Sequence, residues 1–372
     1  MTTLVRLDAY VARVPLPRPL LLANQTIEAR EYVVVEAEDA NGLTGRAIGY
    51  TRGAPVDAVV SRMLKSAWLG SDLGDYPAIY DKTVRAHSFQ GTHGIFWRAL
   101  SVADIAVHDL LAKRDGVPLA VWLGGSARPV STTLAGCYPL ANQTEEGLDA
   151  LVKRMAVLPS TGIKVTSSGN YALDTLRLKA CRQALGDARP LIIDLYNAAH
   201  DAESLIPYAR QWAEFGMGWL EDPFGFDALD DLAQLANALP YPVGVGDEQA
   251  GLKHFDNLMR YGRIGVVRLD ATTCGGVTAF LRIARLATSR GVPVSCHVFH
   301  HLHAQLASVV DKASIEYMLP ETGVDAIDSL IDEDLEWGST GLLPATRPGI
   351  GIVWNEQVLR EHRSKWLRSG GA

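Results

Sequence analysis

Residues 190–248 read PLIIDLYNAAHDAESLIPYARQWAEFGMGWLEDPFGFDALDDLAQLANALPYPVGVGDE. Three short apolar runs, PLIIDLY, MGWLEDP and PVGVGDE, alternate with stretches of helical spacing over 202–215 and 227–239. Each run ends in a carboxylate: Asp194, Glu221 and Asp247, spaced by 27 and 26 residues (221 − 194 and 247 − 221). That spacing is one strand–helix unit. In a closed parallel barrel the C-terminal ends of successive strands converge on one mouth. A single such carboxylate reads as the solvated start of a loop. Three in register on consecutive units read as a cluster, and clustered anions need a cation. Mg²⁺ suits three carboxylates and leaves positions for substrate. The acidic neighbours Asp222 and Glu248 leave the ligand choice open, and Glu248 is the rival to Asp247.

The same rhythm extends to both sides. STTLAGCY and GIKVTSS precede the quoted stretch; VVRLDAT, PVSCHVF and SIEYMLP follow it. Helices are expected over 144–158, 171–185, 252–261, 275–290 and 300–311. A repeating strand–helix unit closes most simply as a parallel barrel, here placed at 126–345. An open doubly wound sheet is the competing architecture. No GxGxxG loop follows the first strand, which weighs against a dinucleotide site.

The remaining strand ends also carry polar residues. Asp270 and His297 again lie one unit apart, and a carboxylate beside a histidine orients the ring and raises its basicity. A lone His at a strand end is more often structural; one unit after an Asp, beside a metal cluster, it reads as a general base. His300, His301 and His303 follow at once. They read as a helix start, because a second metal site lacks clear ligands in the sequence. His300 is the one expected to look toward the mouth. Lys164 and Thr166 share one face of their strand, and the Lys164 ammonium is expected against a substrate carboxylate. Glu316, on the last strand, is a hydrogen-bond donor to an enolate if protonated and a salt-bridge partner if ionised.

Upstream, residues 3–14 alternate loosely as a strand, which the prolines at Pro15 and Pro17 break. Residues 18–30 read as an irregular stretch. EYVVVEAE at 31–38 is a strong strand, Asn41-Gly42 a hairpin turn, and 43–50 the returning strand. Helical stretches follow over 56–68, 76–88 and 95–114. Strands followed by helices make an α+β domain over 1–125. The closing segment, 346–372, is expected to return to it.

The 372 residues suit two domains. A net charge of −7 argues against a nucleic-acid partner. No run is long enough to span a membrane, and the N-terminus does not read as a signal peptide. The four cysteines, Cys137, Cys181, Cys274 and Cys296, form no CxxC pair and fit a reducing cytoplasm.

Taken together, the strand-end carboxylates, the Lys164 strand, the Asp270/His297 pair and Glu316 resemble the mandelate racemase group of the enolase superfamily. The likeness extends to GVPLAVWLGG, YALDTLRLKACRQALGD, LDATTCGGVTAF, SCHVFHHLHAQLA and GIGIVW. The resemblance implies a (β/α)₇β barrel with an α+β capping domain. It implies Mg²⁺ on Asp194, Glu221 and Asp247 and a His297–Asp270 base, with Asp247 preferred over Glu248 because the family pattern runs there without gaps. It places two capping loops, about 18–30 and 50–55, over the mouth, with Tyr50, Arg52 and Arg30 as candidate substrate contacts. It also favours a symmetric homo-oligomer.

Two departures from the family pattern matter. The racemase-type second strand carries Lys-x-Lys, and its second lysine is a base on the opposite face of the substrate. Here that position is Thr166, whose hydroxyl does not take up a proton near pH 7. The third strand usually ends Asp-x-Asn, whereas this chain has Asp194-Leu195-Tyr196-Asn197, making Tyr196 and Asn197 candidate substrate contacts. One base on one face suits loss of water from an acid sugar to give a 2-keto-3-deoxy product. A racemase or epimerase is the alternative. A metal-dependent hydrolase and a non-catalytic carboxylate binder are weaker readings.

Overall fold

A computed structural model describes residues 2–22, 25–91, 93–140, 144–187 and 189–364. Ala23 and Asn24 of the expected 18–30 stretch and the last eight positions of the 346–372 segment lie outside them.

The first sheet is antiparallel: β1 (Leu4–Leu22), β2 (Gln25–Asp39) and β3 (Thr44–Tyr50). The β2–β3 turn is the expected one. Asp39 Oδ1 accepts from the backbone of Asn41 (2.9 Å) and Leu43 (3.0 Å), and Gly42 takes φ 81°, a conformation open to glycine. The 18–30 stretch corrects its expectation, because most of it is extended. Pairing runs from Leu4 to Pro15, shifts register, and resumes at Leu20↔Ile27. Pro17 and Pro19 fall in that irregularity, where a missing N–H breaks no ladder bond. The hairpin therefore reaches on toward the barrel, where Leu21 donates to the carbonyl of Pro139 (3.1 Å).

The barrel strands are β4 (Val130–Cys137), β5 (Gly162–Thr166), β6 (Leu191–Asp194), β7 (Met217–Glu221), β8 (Val243–Val245), β9 (Val266–Leu269), β10 (Val294–Cys296) and β11 (Ala313–Met318). They pair in parallel in that order, and β11 returns to β4 through Glu316↔Thr133. Helices Glu145–Ala156, Tyr171–Leu185, Ala202–Trp212, Leu229–Ala238, Leu252–Arg260, Gly276–Ser289 and His300–Ala307 fill the intervals. This is the (β/α)₇β arrangement. Side-chain caps start several of these helices: Thr144 accepts from Gly147, Asn170 from Leu173 and Asp201 from Ser204. The helix expected over 300–311 stops at Ala307.

Register aligns the strand ends. Thr166 pairs with Asp194, and Asp194 with Glu221. The capping helix Ile95–Arg114 is buried along most of its length, because it lies between the antiparallel sheet and the barrel. It docks on the barrel by hydrogen bonds: Gly275 N to Ser101 Oγ (2.8 Å) and Thr278 Oγ1 to Asp104 Oδ1 (2.7 Å). Near the C-terminus, Glu356 pairs with Arg46 (2.6 Å), and Arg363–Ser364 pairs with β1. No helix among the described residues is long and apolar enough to cross a membrane.

Candidate active site

A cavity of about 290 Å³ opens at the C-terminal ends of the barrel strands. Its wall combines barrel residues Lys164, Asp194, Asp222, Asp247 and His297 with Tyr50, Arg52 and Arg98 from the N-terminal domain. Parallel strands that end in register aim these side chains at one space.

Lys164 Nζ sits among three carboxylates: Glu316 at 2.7 Å, Glu221 at 2.9 Å and Asp194 at 3.2 Å. Burial alone would lower its pKa. Glu221, Glu316 and Asp194 outweigh burial and raise it well above the ordinary value, so Lys164 stays an ammonium. Below it, Arg268 Nε lies 3.0 Å from Glu221, and its guanidinium also binds Glu316 and Ser295 Oγ (2.7 Å).

The carboxylates exceed the cations that face them. One oxygen each of Asp194, Glu221 and Asp222 lies within 4.8 Å of the others. Burial and then the charges of Asp247, Glu221 and Asp194 push the Asp222 pKa well up. Burial, Glu248, Glu221 and Asp194 likewise raise Asp247, to about 7. Buried, all-oxygen and under-neutralised, this donor set fits a hard divalent cation. The sequence left Asp222 and Glu248 beside Asp247 as possible donors; among the described residues Asp222 completes the tight group with Asp194 and Glu221, and Asp247 lies next to Asp222, outside that group. Glu248 is engaged elsewhere: Arg52 holds it at 2.6 Å and Arg98 also binds it. Burial would raise its pKa, but the two guanidiniums pull it down to about 2.

His297 closes the other side. Its Nδ1 lies 2.9 Å from Asp270 Oδ2, and its Nε2 points toward Asp247 at 3.5 Å. Asp270 is held in turn by the backbone N–H of Thr272 (2.7 Å). Burial, then Arg268, Lys164 and Arg52, lower the His297 pKa well below its ordinary value. The ring is therefore a neutral acceptor at neutral pH.

The substrate contacts suggested by sequence divide. Tyr50, Arg52, Arg30, Tyr196 and Asn197 line the cavity. Tyr50 bonds Asp325 through its hydroxyl, and its ring lies under Arg52 (4.6 Å) and Arg30 (5.2 Å). Arg52 also approaches the Tyr196 hydroxyl (3.3 Å). Thr166 and Glu316 do not line the cavity. Glu316 lies beneath it, and Thr166 Oγ1 is buried without a hydrogen-bond partner among the described residues. His300 corrects its expectation: it turns away from the mouth and bonds Asp334 at 2.9 Å. Six of the eight non-glycine residues with left-handed backbone among those described fall around the mouth: Arg52, Tyr196, Asn197, Asp222, Val298 and Phe299. Such backbone strain concentrates at functional sites.

Arg98 and Arg268 were missed by sequence reasoning. Arg268 had a signal: a lone charge in the apolar run VVRLDAT, two residues before Asp270 and so on the same face. Arg98 had none, since a charged residue at the start of a helix is ordinary.

This architecture, a capped parallel barrel with an acidic cluster facing a histidine–carboxylate pair, defines a class of barrel enzymes. Residues 6–124 match the family model for the mandelate racemase / muconate lactonizing enzyme N-terminal domain, and residues 147–358 match the enolase C-terminal domain-like family. The chain belongs to the mandelate racemase/muconate lactonizing enzyme family of the enolase superfamily. It is 30% identical to L-talarate/galactarate dehydratase of Salmonella typhimurium, over 88% of this chain and 81% of that protein. It is 26% identical to muconate cycloisomerase 1 of Rhodococcus opacus, over 99% of each. The crystal structure of the Salmonella dehydratase with Mg and L-lyxarohydroxamate superimposes with a TM-score of 0.86 at 26% identity, covering 97% of this chain and 93% of that one.

Proposed function

We propose that this protein removes the proton α to the carboxylate of an acid sugar and expels the 3-hydroxyl, giving a 2-keto-3-deoxy acid. One observation carries the reading: a single neutral imidazole, His297 on Asp270, faces the cavity, while Thr166 stands where a second base would be. Asp194, Glu221 and Asp247 would hold Mg²⁺, with Asp222 beside them; when bound there it supplies positive charge against the substrate carboxylate. The engagement of Glu248 by Arg52 and Arg98 supports Asp247 as the third ligand. His297 Nε2 takes the C2 proton, and Asp270 steadies the imidazolium that forms. The Lys164 ammonium offsets charge that grows on the carboxylate oxygens. The C3–O bond then breaks, His297 returns its proton to the leaving hydroxyl, and water departs. The resulting enol tautomerises to the 2-keto acid. Tyr50, Arg52, Arg30, Tyr196 and Asn197 orient the polyhydroxyl chain.

A library of acid sugars incubated with Mg²⁺ and scored for 2-keto-3-deoxy product tests this. Formation of C2 epimers without any keto acid would overturn dehydration and leave a racemase. The family resemblance is the ground for expecting a homo-oligomer, which sedimentation equilibrium tests. Four buried free cysteines support a cytoplasmic setting.

A further inference from the structure

Beyond His297 the chain turns through Val298 and Phe299, both left-handed (φ 39° and 42°). L-residues hold that conformation only under constraint. The turn leaves His297 at the cavity and sends His300 and His301, both buried, to the segment at Glu333 and Asp334. There the two rings lie 4.4 Å apart, and His300 Nε2 is 2.9 Å from Asp334 Oδ1. His300, His301 and Asp334 each bring one ligand atom within 4.8 Å of the other two.

The state of His301 points to a ligand. Its Nε2 lies 3.1 Å from the carbonyl oxygen of Glu333. A carbonyl only accepts, so that nitrogen carries the hydrogen and Nδ1 keeps a bare lone pair. This Nδ1 is buried and has no hydrogen-bond partner among the described residues. Burial, then the neighbouring His300, push the His301 pKa down to about 3, so the ring is neutral. An imidazole tied by its N–H to a backbone carbonyl, with its other nitrogen unclaimed, is the arrangement in which histidines take metals. Tyr317 adds an outer partner by donating its hydroxyl hydrogen to Asp334.

We propose that His300, His301 and Asp334 form a second metal site, separate from the cavity, for one ion of the Zn²⁺ class. Two imidazoles and a carboxylate select Zn²⁺, Ni²⁺ or Cu²⁺ over Mg²⁺, which prefers oxygen alone. Asp334 is partly exposed, so an ion has a way in and water has a fourth position. Bonds of about 2.0–2.2 Å place tetrahedral ligand atoms roughly 3.5 Å apart, so His300 Nε2 and Asp334 Oδ1, 2.9 Å apart here, separate slightly on binding. The ion would pin the 333–334 segment to the helix that begins three residues after His297.

The test is equilibrium dialysis of Mg²⁺-saturated protein against Zn²⁺, with Co²⁺ as a spectroscopic substitute. One Zn²⁺ per chain is expected beyond the Mg²⁺, and Co²⁺ should give the visible bands of a four-coordinate site. Asp334→Asn and His301→Gln should each raise the Zn²⁺ Kd at least about tenfold, since even outer-sphere partners have effects of that size. Asp194→Asn should leave it unchanged. No Zn²⁺ bound over saturating Mg²⁺ overturns the proposal. So does binding that survives both substitutions, or that vanishes in Asp194→Asn. If His301→Gln fails to fold, Asp334→Asn at the solvent edge decides alone.

Discussion

At position 166 a threonine hydroxyl lies buried with no hydrogen-bond partner among the described residues, on the strand that also carries Lys164. Lys164 does not replace the missing base, because three carboxylates hold it protonated. The consequence is stereochemical. In D₂O only one C2 configuration of a bound hydroxy acid should exchange its α-proton, measured by NMR; exchange of both epimers at similar rates would reveal a second base. His297→Asn should lower kcat by roughly 10²- to 10⁴-fold, with substrate Kd by calorimetry within about tenfold of the native value. Retention of full turnover would remove the dyad from the mechanism. The pH profile follows from the same ring. Burial, Arg268, Lys164 and Arg52 lower the His297 pKa, and the base acts in its neutral form. The acid limb of kcat/KM should therefore fall below about pH 6.5, the ordinary histidine value. A limb above that pH would contradict the assignment.

At the scale of elements, the docking of the capping helix on the barrel has one narrow point. Gly276, first residue of the helix Gly276–Ser289, has φ 83°, and a Cβ there would lie 2.2 Å from Asp104 Oδ2. Asp104 in turn accepts from Tyr76 (3.0 Å), Thr278 N (3.1 Å) and Thr278 Oγ1 (2.7 Å). Gly276→Ala should cost about 3 kcal/mol, from left-handed backbone and overpacking together, read as a fall in denaturant midpoint at constant slope. An unchanged midpoint would mean that Asp104 does not hold the two elements together. That GGVT begins a helix was legible from spacing; that its second glycine meets Asp104 was not, because the partner lies 172 residues away (276 − 104). The barrel strands were legible because each is a short apolar run with a polar end. The 18–30 stretch was not, because prolines read as breakers and the irregularity that absorbs them has no sequence mark. His300 failed for a similar reason. Helical spacing fixes which residues share a face, but the left-handed pair Val298-Phe299 decides which way that face looks, and neither is glycine.

Across the whole molecule, the two domains divide the work. The barrel contributes the acidic cluster, Lys164 and the His297–Asp270 pair, and these were visible in sequence because barrel symmetry repeats them one per unit. The N-terminal domain contributes Tyr50 and Arg52, which the family resemblance placed over the mouth, and Arg98, whose approach to the barrel no local pattern announces. The two arginines meet it at Glu248, where Arg52 (2.6 Å) and Arg98 both bind one carboxylate. Arg52 also lies over the Tyr50 ring and near the Tyr196 hydroxyl, so it spans the seam between the domains. If capping residues bind and barrel residues react, Arg52→Gln should raise KM by roughly tenfold to a hundredfold, about 1.4–2.8 kcal/mol of binding, while kcat stays within about threefold. That pattern is the mark of an interaction made equally in ground and transition states. Glu248→Gln should produce a similar rise, and the double variant should show less than the sum, because both substitutions break the same contact. Steady-state kinetics on the native protein and the three variants give the cycle. A loss confined to kcat would place Arg52 among the reacting groups, and strict additivity would show that its link to Glu248 does not close the domains over substrate.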